Sequence, residues 1–119
     1  MHELKVESSF SAAHHLLNYN GECENQHGHN WKVEIYAKGS TLDKSNLLID
    51  FKVLKNELNC VLKLLDHKDI NTLKEFEGIS PSSEMLSKFI YEQLKPKIPQ
   101  LSKVSVWETE KACASYYED

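Results

Sequence analysis

The chain contains no arginine: all fourteen of its basic residues are lysines. Bidentate guanidinium recognition of phosphate is therefore excluded, and any anion must be held by lysine, histidine, backbone N–H groups or a metal. Charge of one sign is also scarce. A net charge of −4 gives no general attraction to nucleic acid or to an anionic membrane. No apolar run approaches the roughly 18 residues of a membrane span. Residues 1–6 carry no apolar stretch of signal-peptide length. Cysteine is limited to Cys23, Cys60 and Cys113, an odd count that forms no disulfide framework and fits a reducing compartment. The expectation is a cytoplasmic protein whose partners include neither nucleic acid nor membrane.

What is present suits a folded domain. The 119 residues are 40% hydrophobic, enough for one compact unit over residues 1–119, and no linker, low-complexity tract or repeat interrupts them. Leu4, Val6, Ser8, Phe10 and Ala12 share one parity, which predicts a strand over residues 3–13. Polar, turn-forming residues 18–26 read as a loop. Alternation returns over residues 29–37, where Trp31, Val33, Ile35 and Ala37 share a face. Asp50 can cap a helix over 51–65, with Leu54, Leu58, Val61, Leu62 and Leu65 at helical spacing. An irregular segment over 66–81 precedes a second helix after Pro81-Ser82, whose stripe is Met85, Leu86, Phe89, Ile90 and Leu94. Strands over 103–109 and 112–117 complete a ββααββ order. This is an α+β domain with helices on one face of an antiparallel sheet.

The chemistry gathers around histidine. His27-Gly28-His29 places two imidazoles at i and i+2, which on a strand point the same way and can reach one metal. By spacing alone the pair reads equally well as two surface histidines. His14 ends the first strand and becomes the natural third ligand if strands one and two pair. Three histidines leave one position open, as in catalytic rather than structural zinc sites. His15 has the opposite parity and reads as a bystander. Cys23 lies in a polar loop four residues before His27, where a nearby cation would favour the thiolate as base or nucleophile. Cys60 and Cys113 read as small buried hydrophobes. Asp66-His67 is either a proton-transfer pair or a carboxylate beside a helix-terminal histidine. Glu108 shares the parity of Val104 and Val106. It therefore reads as a partly buried carboxylate needing a partner, which a guanidine-like ligand edge or a lysine would supply.

Taken together, Phe10-Ser11-Ala12-Ala13-His14, Cys23-x-x-x-His27-Gly28-His29, Leu48-Ile49-Asp50-Phe51, Leu65-Asp66-His67, Pro81-Ser82-Ser83-Glu84 and Glu108-Thr109 resemble the 6-pyruvoyltetrahydropterin synthase / 6-carboxytetrahydropterin synthase family over nearly the whole chain. The resemblance implies a tunnelling fold (T-fold), a four-stranded antiparallel sheet with two helices on one face. It implies subunits closed into a trimer or a dimer of trimers, a homohexamer, with active sites between subunits. It implies zinc on His14, His27 and His29, a catalytic Cys23, an Asp66-His67 pair, and Glu108 with Thr109 against the pterin. The implied substrate is 7,8-dihydroneopterin triphosphate. The implied reaction is a lyase step to 6-carboxy-5,6,7,8-tetrahydropterin with loss of acetaldehyde and triphosphate, on the way to 7-deazaguanines such as queuosine. Alternatives are a 6-pyruvoyltetrahydropterin product, a folate-branch 6-hydroxymethyl-dihydropterin product using Glu24 as base, or a non-catalytic zinc- or pterin-binding module. Two departures stand out: Glu24 directly follows Cys23, and the chain ends Tyr116-Tyr117-Glu118-Asp119 where many relatives have a Tyr-Arg-Gly-like segment.

Overall fold

The structure is a computed structural model and describes residues 1–20 and 24–119. Strand β1 (His2–His14) pairs antiparallel with β2 (His27–Gly39), which pairs with β4 (Leu101–Thr109), which pairs in turn with β5 (Ala112–Tyr116). The expected four strands are thus present, and a fifth is added. The two-residue β3 (Lys68–Asp69) runs parallel to the outer side of β1, giving the order β3-β1-β2-β4-β5.

Helix α1 (Phe51–Leu62) begins where Asp50 Oδ1 accepts from Lys52 N at 2.9 Å, satisfying an N-terminal donor that has no partner within the helix. It ends three residues earlier than the apolar spacing predicts. Leu65 is fully buried, so it continues the pattern, but the backbone has already tightened through Leu64 N to Val61 O. Helix α2 (Ser83–Leu94) starts at a similar cap, Ser82 Oγ accepting from Met85 N at 3.2 Å. Both helices lie on one face of the sheet. Their Leu54, Leu58, Leu86, Ile90 and Leu94 meet Val6 and Phe10 of β1, Trp31, Val33 and Ile35 of β2, and Val104 and Val106 of β4 in one core. Cys60 and Cys113 are exposed, contrary to the sequence reading: Cys60 lies on the solvent side of α1 and Cys113 on the edge strand. Among the described residues, no helix is long and apolar enough to cross a membrane.

The opposite face of the sheet carries Lys5, Glu34 and Trp107. Glu34 is buried there, accepting from Trp107 Nε1 at 2.6 Å and from Lys5 Nζ at 3.1 Å. Burial by itself would raise the Glu34 pKa, but these two hydrogen bonds together with the charges of Lys5 and Lys32 outweigh it and hold the carboxyl below its usual range. A carboxyl whose folded pKa is depressed stabilises the fold above its unfolded pKa, and that stability is lost as the pH falls through the folded value. Trp107→Phe should therefore cost about 1–3 kcal/mol at neutral pH, the cost of leaving a buried charged acceptor short of one donor. Urea titrations across a pH series should show the gap to the parent protein narrowing as Glu34 is protonated. A gap that stays constant down the acid limb contradicts this account.

Candidate metal centre

The register of β1 and β2 assembles the histidines. His14 pairs with His27 and Ala12 with His29, so residues at the ends of two adjacent strands lie side by side. Cross-strand partners project to the same face of a sheet, and His14, His27 and His29 all fall on the core face. Their ring centroids are 4.7 Å apart for His14 and His27, 4.7 Å for His27 and His29, and 5.3 Å for His14 and His29. The fully buried Trp31 forms the floor, its ring 4.8 Å from that of His14 and 5.1 Å from that of His29. Trp31 is itself stacked on Phe10 and donates from Nε1 to Ala12 O at 3.3 Å.

Two backbone carbonyls orient the rings. His14 Nδ1 lies 2.8 Å from Pro81 O, just before α2, and His27 Nδ1 lies 2.9 Å from Asn25 O. A carbonyl only accepts, so in the neutral rings each Nδ1 carries the proton and each Nε2 presents a lone pair. Histidines that bind metal are commonly held this way through the outer nitrogen. His14 Nε2 and His29 Nε2 are buried and have no hydrogen-bond partner. Burial pushes the His29 pKa below the ordinary imidazole value despite the nearby Glu108 carboxylate, which keeps the ring neutral at pH 7. Converging imidazole nitrogens, two of them buried without a hydrogen-bond partner, are the donor set a metal requires.

Glu108 joins them. One residue beyond the last position at which β4 pairs with β2, on the face of Val104 and Val106, its Oε1 lies 3.0 Å from His29 Nε2, 3.3 Å from His14 Nε2 and 3.8 Å from His27 Nε2. The four ligand atoms all lie within 4.8 Å of one another, a group that could hold a metal ion. The parity of Glu108 was legible in the sequence, but its meeting with the histidines was not. The two carbonyls that fix the rings have no side-chain signature at all.

The other expected site residues lie elsewhere. Cys23 falls outside the described residues. Glu24 is clamped to the end of β1, its N donating to Leu16 O at 3.0 Å and its Oε1 accepting from Leu16 N at 3.1 Å. That same oxygen is 3.7 Å from His27 Nδ1, on the rim of the cluster and outside it. Thr109 is exposed, and its hydroxyl accepts from Lys111 N at 3.2 Å, serving the β4–β5 turn.

Asp66 and His67 do form a pair, His67 Nδ1 being 3.0 Å from Asp66 Oδ2. Asp66 Oδ1 also accepts from Ser11 N at 2.9 Å, and this backbone hydrogen bond, with the His67 side chain, holds its carboxyl below the usual range. His67 takes a left-handed φ of 57°, and its N donates to Ser11 O at 2.6 Å, which turns the chain into β3. Since α1 ends at Leu62, His67 does not sit at a helix C-terminus. Its side chain is exposed and lines a groove of about 430 Å³ along β1 and β2, with Ser11, Ala12, Ala13, Gly28, His29, Asn30 and Lys68. Ser11, Ala13, Gly28 and Asn30 have the opposite parity to His14, His27 and His29, and the groove reaches His29 as well. Within one chain the dyad therefore belongs to the outer edge of the sheet, where β3 joins β1.

Residues 3–119 match the sequence profile of the family described as 6-pyruvoyl tetrahydropterin synthase. The chain belongs to that family. A Synechocystis sp. protein named 6-carboxy-5,6,7,8-tetrahydropterin synthase is 34% identical over 117 residues, covering 93% of this chain and 89% of that protein. A Pyrococcus furiosus protein named dihydroneopterin monophosphate aldolase is 31% identical over 104 residues, covering 85% and 84%. The solved structure of Caenorhabditis elegans 6-pyruvoyl tetrahydropterin synthase superposes with a TM-score of 0.85 at 26% identity, covering 98% of this chain and 95% of the other. The T-fold expected from the motifs agrees with this match.

The centre makes a direct prediction. Protein loaded with zinc and dialysed should keep a stoichiometric ion, whereas His14→Ala or His29→Ala should keep less than about a tenth of that. Metal analysis by mass spectrometry checks it. Equal retention by the parent and both variants contradicts the assignment.

Proposed function

We propose that the chain is one catalytic domain, residues 1–119, that holds zinc on His14, His27 and His29. In this reading it converts 7,8-dihydroneopterin triphosphate to 6-carboxy-5,6,7,8-tetrahydropterin, releasing acetaldehyde and triphosphate. The observation that carries the reading is the convergence of three imidazoles, two of them oriented by backbone carbonyls, beside a carboxylate at one end of the sheet. The name of the Synechocystis sp. relative supports the choice of product. Such a lyase would act in the cytoplasm on the route to 7-deazaguanine compounds such as queuosine.

Zinc bound there would supply Lewis-acid polarisation of the substrate's side-chain hydroxyls. The remaining work falls to the protein. Cys23 as thiolate removes the proton from the side-chain carbon next to the pterin ring. His67, oriented by Asp66, returns or relays protons on the other face. Because Asp66 and His67 stand at the edge of the sheet, outside the converging group of their own chain, they serve the cluster of a neighbouring subunit in a trimer or a dimer of trimers. Closure of that kind also covers the edge strands β3 and β5, whose unpaired backbone groups would otherwise be open. Glu108, with Thr109 beside it, holds the amino and ring N–H edge of the pterin, two donors to one carboxylate.

A second reading rests on Glu24, whose carboxylate stands at the rim beside His27. Released from Leu16 N, it could act as the base and give 6-hydroxymethyl-dihydropterin, an aldolase outcome in keeping with the name of the Pyrococcus furiosus relative. Incubation with dihydroneopterin triphosphate should release acetaldehyde, and Cys23→Ala should lower that release by about 10²-fold or more, as expected for loss of a general base. A 6-pyruvoyl product without acetaldehyde overturns the leading reading. A hydroxymethyl product that survives Cys23→Ala but not Glu24→Gln establishes the second.

The dyad has its own test. A left-handed backbone costs a non-glycine residue roughly 1–2 kcal/mol, part of which glycine recovers. His67→Gly should therefore leave stability unchanged or raise it by up to about 1 kcal/mol, while turnover falls sharply. Thermal melting beside the product assay checks this. A stable variant with full turnover would remove His67 from the chemistry.

A further inference from the structure

The carboxylate at the centre of the cluster poses a problem in electrostatics. Glu108 Oε1 lies 3.3 Å and 3.8 Å from the Nε2 atoms of His14 and His27. Both of those nitrogens present lone pairs, because Nδ1 of each ring donates to a carbonyl. His29 Nε2 is nearer still, at 3.0 Å, yet it has no hydrogen-bond partner. Glu108 Oε1 thus faces two lone-pair nitrogens and a third nitrogen to which no hydrogen bond joins it, an arrangement that suits a cation at its centre. Donor atoms about 2.0–2.1 Å from a tetrahedral zinc ion lie roughly 3.3 Å apart, which the three Oε1 distances bracket.

We infer that Glu108 is the metal's fourth ligand in the substrate-free protein and that pterin binding displaces it. The inference rests on the zinc and pterin reading above and deepens it. One carboxylate is given two partners that it cannot hold together: the metal, and the donor edge of the pterin. Without substrate, Glu108 closes the position that three histidines leave open and keeps water and small anions from it. When the pterin enters, its paired N–H donors exchange with the metal–oxygen contact, and the side-chain hydroxyls take the position Glu108 leaves. The exchange is a ligand substitution with no change of oxidation state. It makes exposure of the metal conditional on a ligand whose ring edge satisfies the carboxylate, so that the residue recognising the ring also gates the metal.

The test uses metal alone. Zinc affinity is measured by competition with a chromogenic chelator for the parent protein, Glu108→Gln and Glu108→Ala, and the melting temperatures of the metal-free forms report folding. Both variants should bind zinc about 10–100-fold more weakly than the parent. Affinities within about twofold of the parent overturn the inference. A parent protein that holds no zinc overturns the metal reading itself, which is a distinguishable failure. Cobalt(II)-loaded parent protein supplies an arm that needs no variant to fold. Its visible spectrum should not respond to azide, since the four positions are filled, and a parent spectrum that shifts with azide overturns the inference.

Discussion

The antiparallel register between β1 and β2 is the constraint on which the site depends. With His14 opposite His27 and Ala12 opposite His29, three imidazoles from two strand ends lie on the face that the helices cover. A slip of one residue would turn one strand's histidines to the opposite face and dissolve the cluster. The register is set well inside the sheet, where Val6, Phe10 and Ala12 must face the core together with Trp31, Val33, Ile35 and Ala37. Apolar burial over the length of two thirteen-residue strands thus fixes the geometry of the polar groups at their ends.

Continuity between core and site goes further. Trp31 is at once the first large apolar residue of β2 and the floor beneath His14 and His29. Pro81, whose ring suits the entry to α2, also supplies the carbonyl that sets the His14 tautomer. The start of a helix, the end of a strand and the protonation pattern of a ligand are therefore one arrangement. On the outer edge of β1, Ser11 holds Asp66 and His67 through its backbone N–H and carbonyl. The same strand thus carries His14 at its end and anchors the Asp66–His67 pair along its outer edge.

Much of this was legible in the sequence, for physical reasons that can be named. Strand alternation identified the buried faces of β1, β2 and β4, and with them the common side of His14, His27 and His29. Asp50 and Ser82 announced the helix starts because their side chains satisfy free N–H groups. The end of α1 was misplaced because Leu65 stays buried after the helix has stopped, so the apolar pattern outlasts the backbone conformation. The two-residue β3 carries no periodicity at all. Cys60 and Cys113 were assigned to the interior from residue type, but the alternation of their own elements turns them outward. The parity of Glu108 was clear, yet its partner depends on how the end of β4 stands against the end of β1, which is not a local property.

The central claim is that three imidazoles and an oxygen donor, with no sulfur, hold the metal. X-ray absorption at the zinc edge, on zinc-loaded protein without added ligand, tests it most directly. The account predicts a first shell of nitrogen and oxygen at about 2.0–2.1 Å with the multiple-scattering pattern of three imidazoles. A sulfur scatterer at about 2.3 Å, or a shell with fewer than three imidazoles, would contradict it.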